Sequence, residues 1–265
     1  VIESLLLAVT RVSTMLGSCQ LTNATGFFFE RDERLYLVTN RHVVHDEAAE
    51  HFPDRLEIEL HVDPVTIGRT VQFSIPLYRD GKSIWREGLD SAGAIDVVAI
   101  ELERKVMPKS LLFHAFTPVH LVERLDQVEL GTSVLVVGFP LGVHDTLHRL
   151  PVARQSVIAS AFGIRFQGKG YFLTDARLHR GMSGAPVVAR ESAPRAGRVE
   201  LSWLLLGVHA TRLDVTNRDA SQDESLDLNL AWYADILMTL TQKGPAQALA
   251  GAPALPVPPA KRAQP

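Results

Sequence analysis

The chain has 265 residues, 46% of them hydrophobic, and a formal net charge of −3. At that length all-β barrels of about 200–250 residues commonly form one unit, and the apolar share is enough to fill two small barrels. The near-balanced charge, without a strong basic patch, gives no reason to expect nucleic acid or an anionic membrane surface as a partner.

Cys19 is the only cysteine, so no intrachain disulfide can form and stability must come from packing. This fits a reducing compartment without requiring one, and it favours a cytoplasmic protein over a periplasmic or secreted one. The first ten residues have no basic flank and no cleavage-like small-residue motif, and their apolar run is too short to span a bilayer. Ile2, Leu5, Leu6, Val9 and Val12 recur at helical spacing, which predicts an N-terminal helix within residues 1–16 that packs one apolar face on a barrel.

Short β segments separated by turns follow. They are expected around 26–30, 35–39, 56–62, 70–77 and 97–102 in a first barrel (residues 17–118), and around 133–139, 153–164, 170–174, 186–189, 201–209 and 226–231 in a second (132–230). Regular short strands with turn signals point to barrels or sandwiches. A polar, helix-tolerant stretch, 119–131, reads as the connection between the two sets. Trp232, Ile236 and Leu240, spaced by four, predict a C-terminal helix over 231–243 that Gly244-Pro245 stops. The Ala/Pro-rich remainder, 244–265, lacks apolar periodicity and reads as a disordered tail or linker.

The stretch with the clearest chemistry is Arg180-Gly181-Met182-Ser183-Gly184-Ala185-Pro186. A serine between two glycines suits an acyl-transfer nucleophile, because glycine admits a turn that points the amides of Gly181 and Ser183 at one spot, as an oxyanion hole needs. Gly, Ser and Pro also make ordinary surface turns, so the serine needs a base and an orienting acid before it means more. The apolar run Leu35-Tyr36-Leu37-Val38-Thr39 leads into Asn40-Arg41-His42-Val43-Val44 and leaves His42 rigidly placed past a strand end. Ala94-Ile95-Asp96-Val97-Val98-Ala99 sets a carboxylate at the mouth of a β-branched run, where it can accept a hydrogen bond from imidazole Nδ1. Spacing alone leaves Asp90 and Asp175 open as alternative acids.

These segments occur in the order His, Asp, Ser, and each resembles its counterpart in chymotrypsin- and trypsin-like serine proteases. Thr39-Asn40-Arg41-His42-Val43-Val44, Phe139-Pro140-Leu141-Gly142 and Gly181-Met182-Ser183-Gly184-Ala185-Pro186 are most similar to the bacterial HtrA-type branch. The resemblance implies an all-β fold of two packed six-stranded antiparallel barrels with short terminal helices. It also implies a serine endopeptidase acting on protein or peptide substrates, with His42 as base, Asp96 as orienting acid, Ser183 as nucleophile and no cofactor. The chain departs from the pattern in three places. Met182 stands where digestive trypsins carry the aspartate that pairs with a new amino terminus, Ala185 replaces a glycine, and the acid strand has an extra valine. So little chain follows the second barrel that the PDZ domain of many HtrA-type proteases is not expected.

By position relative to the nucleophile block, Arg177 and Gly207-Val208-His209-Ala210-Thr211 lie near the primary substrate pocket. Gly-x-His there resembles bacterial glutamyl endopeptidases and picornaviral proteases of the same fold, which implies a preference for Glu or Gln before the scissile bond. The alternatives are that His209 is a satisfied strand histidine and that Arg177 faces solvent. His42-Val43-Val44-His45 has a metal-like spacing, but no glutamate follows the first histidine and no third ligand is marked, so no metal is expected. His179 is a candidate cleft residue, and Phe27, Phe28 and Phe29 read as strand core. An α/β-hydrolase is disfavoured because its acid and histidine follow the serine. A catalytically silent domain acting as a binding module remains the rival function.

Overall fold

The computed structural model describes residues 2–191, 201–213 and 226–244. The first half carries helix α1 (Ser4–Leu7), strands β1 (Val9–Leu16), β2 (Cys19–Arg31) and β3 (Arg34–Thr39), helix α2 (Arg41–Val44), and strands β4 (Arg55–His61) and β5 (Thr70–Pro76). Two small hairpins follow, β6 (Tyr78–Arg79) with β7 (Lys82–Ser83) and β8 (Leu89–Asp90) with β9 (Gly93–Ala94), and then β10 (Val98–Leu102). The second half has β11 (Ser133–Gly138), β12 (Val152–Val157), β13 (Tyr171–Thr174), β14 (Pro186–Arg190), β15 (Trp203–Arg212), β16 (Asn229–Tyr233) and helix α3 (Ile236–Leu240).

Two six-stranded sheets result, ordered β10-β3-β2-β1-β4-β5 and β12-β11-β14-β15-β16-β13. Every pairing within them is antiparallel. The architecture is the expected pair of half-barrels in a chymotrypsin-like fold. Between them, residues 118–120 and 125–127 form tight 3-10 turns. The connection is pinned at both ends: Phe116 bridges to Phe29 of the first sheet and Leu121 to Leu205 of the second.

The predicted N-terminal helix is confined to α1; residues 9–16 are a strand. Its alternation is hidden because β1 lies inside its sheet, between β2 and β4, and buries both faces. Val12 enters the interior of the first half-barrel and Val9 the core between the halves. The β-branched Val9, Thr10, Val12 and Thr14 favour the pleated conformation once neighbours exist on both sides. The C-terminal helix is likewise shorter than its spacing suggests. Trp232 belongs to β16, opposite Tyr171 and Val208, because that strand fills the gap between β15 and β13. The expected strand over 153–164 ends at Val157, with one further bridge from Ile158 to Thr174. The Ala/Pro-rich tail from residue 245 onward lies outside the described residues.

Three apolar cores fill the halves and join them. One fills the first half-barrel, around Leu37, Leu56, Ile58 and Trp85, and one the second, around Val136, Phe172, Val187 and Leu206. The third lies between them and joins Phe27, Phe29, Tyr36 and Val38 to Phe139, Val188, Trp203, Leu205 and Leu237. The triple phenylalanine follows from strand alternation: Phe27 and Phe29 face the second half and Phe28 the interior of the first.

Candidate active site

His42 sits in α2, directly after β3. Its neighbour on the other side is β10, which pairs with β3 so that Val98 lies opposite Thr39. The residue two places before Val98 therefore lands beside the start of α2, and that residue is Asp96. Its Oδ2 lies 2.7 Å from His42 Nδ1, and its Oδ1 accepts the His42 backbone N–H at 2.9 Å. Asn40 Nδ2 donates to the Asp96 carbonyl at 2.7 Å and fixes that backbone in turn. The carboxylate is thus held on ring and main chain of one residue, with His42 34% and Asp96 26% exposed at their side chains.

The alternative acids are committed elsewhere. Asp90 pairs with Arg165 across the two halves and accepts the Ala92 N–H. Asp175 accepts from the Ser156 hydroxyl at 2.9 Å and the Val157 N–H at 2.8 Å.

Burial disfavours a charged His42, but the hydrogen bond and charge of Asp96, with a smaller contribution from Asp46, outweigh it and raise the imidazole above its ordinary value. The His45 ring packs against Phe52 and Trp85 while His42 meets Asp96, so the two histidines that suggested metal spacing face different surroundings.

Ser183 comes from the second half, on the turn ahead of β14. That turn is glycine-dependent at two positions. Gly181 has φ +93° and a Cβ there would lie 2.3 Å from the Phe139 carbonyl oxygen; Gly184 has φ +84° and a Cβ would lie 2.2 Å from the Thr25 carbonyl oxygen. Because N–H and C=O of one trans peptide point in opposite directions, the partners of two carbonyls orient two amides. Arg180 O accepts the Leu141 N–H at 2.6 Å, which turns the Gly181 N–H away from that loop; Met182 O accepts the Ala185 N–H at 2.9 Å, which turns the Ser183 N–H out of the turn. Neither amide has a partner among the described residues.

The Ser183 hydroxyl donates to the Ala210 carbonyl at 3.2 Å, and no hydrogen bond joins it to His42 among the described residues. Ser183, Gly181, Arg180 and His42 line one cleft of about 310 Å³, together with Ala24, Asp46 and His51 among others.

The expected pocket residues occupy different environments. His209 is 3% exposed, and its strand clamps the nucleophile turn: Gly184 N–H donates to His209 O at 2.9 Å and His209 N–H to Ala185 O at 2.8 Å. Burial, with the nearby His42, drives the His209 imidazole down to about 3, so it is neutral. Its Nδ1 is buried and has no hydrogen-bond partner among the described residues. Arg177 is 70% exposed and its guanidinium Nε lies 3.0 Å from Asp227 Oδ2, so its charge is already paired. His179 is exposed. Sequence reading passed over Asn40, which carried a signal in the quoted Thr-Asn-x-His block, and Asp46 and Thr25, which carried none beyond being polar.

This fold and this constellation define a two-barrel protein of the chymotrypsin type. The family model for the trypsin-like peptidase domain matches residues 24–194, and the chain belongs to that family. Among solved structures it is similar to the HtrA-type protease AlgW, in a serine-to-alanine form with a tripeptide, at 16% identity and a TM-score of 0.52, covering 88% of this chain and 58% of that one. It is also similar to the serine endoprotease from Yersinia pestis, at 16% identity and a TM-score of 0.51, covering 88% and 61%. Identities this low carry the fold alone, and the chain spans about three fifths of those two proteins' lengths. No curated protein matches it.

Proposed function

We propose that the protein is a serine endopeptidase in which Ser183 attacks a peptide carbonyl with His42 as base. The observation that carries this reading is the 2.7 Å contact of His42 Nδ1 with Asp96, on an imidazole that shares a cleft with Ser183. Asp96 holds the tautomer in which Nε2 is free to take a proton and stabilises the imidazolium that results. The Ser183 hydroxyl turns from the Ala210 carbonyl to Nε2 and adds to the carbonyl carbon. The two amides of Gly181 and Ser183 receive the developing oxyanion. Collapse expels the amine, which takes its proton from His42. Water then adds to the acyl-enzyme by the same route and regenerates Ser183.

At the residue before the scissile bond the reading is glutamine or glutamate through His209. A neutral imidazole offers a hydrogen bond without a charge, and Arg177 is occupied by Asp227, so glutamine is the better match of the two. The test is cleavage profiling against an unbiased peptide library, with Ser183→Ala as control. Cleavage after glutamine that the control lacks is expected. Equal cleavage after basic or large apolar residues removes the pocket assignment. A folded wild type that cuts nothing leaves the binding-module reading in its place.

A further inference from the structure

The nucleophile turn belongs to the second half, but the group that holds its central peptide comes from the first. Thr25, in β2, is fully buried, and its hydroxyl donates to the Gly181 carbonyl at 2.7 Å. The same oxygen accepts the Phe139 N–H at 3.1 Å, while the Thr25 N–H donates to the Ser183 carbonyl at 2.9 Å. Its own carbonyl accepts the Thr39 hydroxyl at 2.8 Å. All of the hydrogen-bonding groups of this one residue are engaged, and three of the four bonds reach across to the second half.

The neighbouring backbone is shaped around that hydroxyl. A Cβ at Gly138 would lie 2.5 Å from Thr25 Oγ1. The Gly181 residue is therefore fixed on both sides: the carbonyl before it by Leu141 N–H and its own carbonyl by Thr25 Oγ1. Glycine at positive φ has the widest freedom of any residue. The first anchor holds the peptide that carries the Gly181 N–H, and the second holds the next one, which links it to the peptide carrying the Ser183 N–H. Without the second, rotation about Gly181 moves the two donors relative to each other, and a donor off its line by an ångström loses most of its worth to a transition state.

We propose that Thr25 is a positioning residue for the oxyanion hole, a hydroxyl from the first half-barrel that holds the Gly181–Met182 peptide and so fixes how the donor amides on either side of it, Gly181 N–H and Ser183 N–H, are set relative to each other. Its role rests on the proposed function, since it acts through the relative placement of the Gly181 and Ser183 amides. It touches neither substrate nor His42, and its effect falls on kcat. Proteolytic competence is thereby linked to correct packing of the two halves, because the turn reaches its working geometry only when β2 lies against it.

The experiment compares wild type, Thr25→Val and Thr25→Ser. Each protein is titrated with a fluorophosphonate to count active sites, and kcat and KM are measured on a fluorogenic peptide that the wild type cleaves. Valine keeps the shape and the β-branching but offers no donor to Gly181 O and no acceptor to Phe139 N. It is expected to lower kcat per active site by about 10–100-fold, part of the loss seen when an oxyanion donor is removed outright, with KM changed by less than about threefold. Serine restores the hydroxyl and is expected to bring kcat to within about threefold of wild type. A purely structural role lowers the melting temperature and the count of active sites but not kcat per site, and that result overturns the proposal. If the valine protein does not fold, Thr25→Ala serves in its place. A wild type that takes no probe removes the function reading and this role with it. A wild type that labels while Thr25→Val matches it per site removes this role alone.

Discussion

In the proposed mechanism His42 must be neutral to accept the serine proton; burial opposes its charge, but its contact with Asp96 outweighs this and raises its pKa. The rate therefore climbs with pH through an inflection above the ordinary value of 6.5, and a kcat/KM profile should show it there. A profile flat down to about pH 4 would contradict His42 as base, given the imidazole reference of about 6.5. Asp96→Asn should cut kcat by about 10³–10⁴-fold by favouring the wrong tautomer, with an unchanged circular dichroism spectrum. His209 gives a second, independent titration. It is neutral in the fold and protonates more easily in the unfolded chain, so it contributes stability that is present above 6.5 and is lost as pH falls towards about 3. His42 acts in the opposite sense, stabilising below 6.5 and losing that effect as pH rises through its raised value, so the two windows do not overlap. Urea unfolding at pH 7.5 and 4.5 should show a smaller acid loss for His209→Gln than for wild type; equal losses would remove His209 as the cause. His42 and Ser183, each carried by a local motif, can be singled out in the sequence as candidates, and the fold sets them on one cleft. Asp96 stays one of three acids until the pairing of β10 with β3 sets it beside the ring.

At the scale of elements, the nucleophile turn depends on backbone angles that only glycine adopts without strain. Gly181→Ala places a methyl 2.3 Å from the Phe139 carbonyl and should lower kcat by about 10²–10³-fold, as loss of an oxyanion donor does. Retained activity in that variant would show that the turn is not the hole. Strand β1 is the element that sequence periodicity misreads. Leu5 and Leu6 do lie in the short helix α1, but Val9 and Val12 fit equally a continuation of that helix and a strand buried on both faces, and only the presence of β2 and β4 on either side decides between them. Val12, fully buried between Ala24 and Ile58, provides the check. Val12→Asp places an unpaired charge in the first core and should cost several kcal/mol, at least about 3. A change of about 0.5 kcal/mol or less in chemical denaturation would contradict the placement of Val12 in that core.

The whole molecule assembles one site from two separately packed halves, with His42 and Asp96 on the first and Ser183 on the second, joined through the apolar layer of Phe27, Phe29, Phe139, Trp203 and Leu237. Alternating short strands and the order His, Asp, Ser made this division legible, because each half carries its own motif. The contacts between halves were not, since they pair residues far apart in sequence, Thr25 with Gly181 and Asp90 with Arg165, that no local pattern connects. The central claim is that this assembly activates Ser183 as a nucleophile. It is tested most directly by treating the folded protein with a fluorophosphonate and mapping the adduct by mass spectrometry. The account predicts one adduct, on Ser183, absent from Ser183→Ala and slowed by orders of magnitude in His42→Ala; a folded wild-type protein that takes no label, or takes it at another residue, would contradict it.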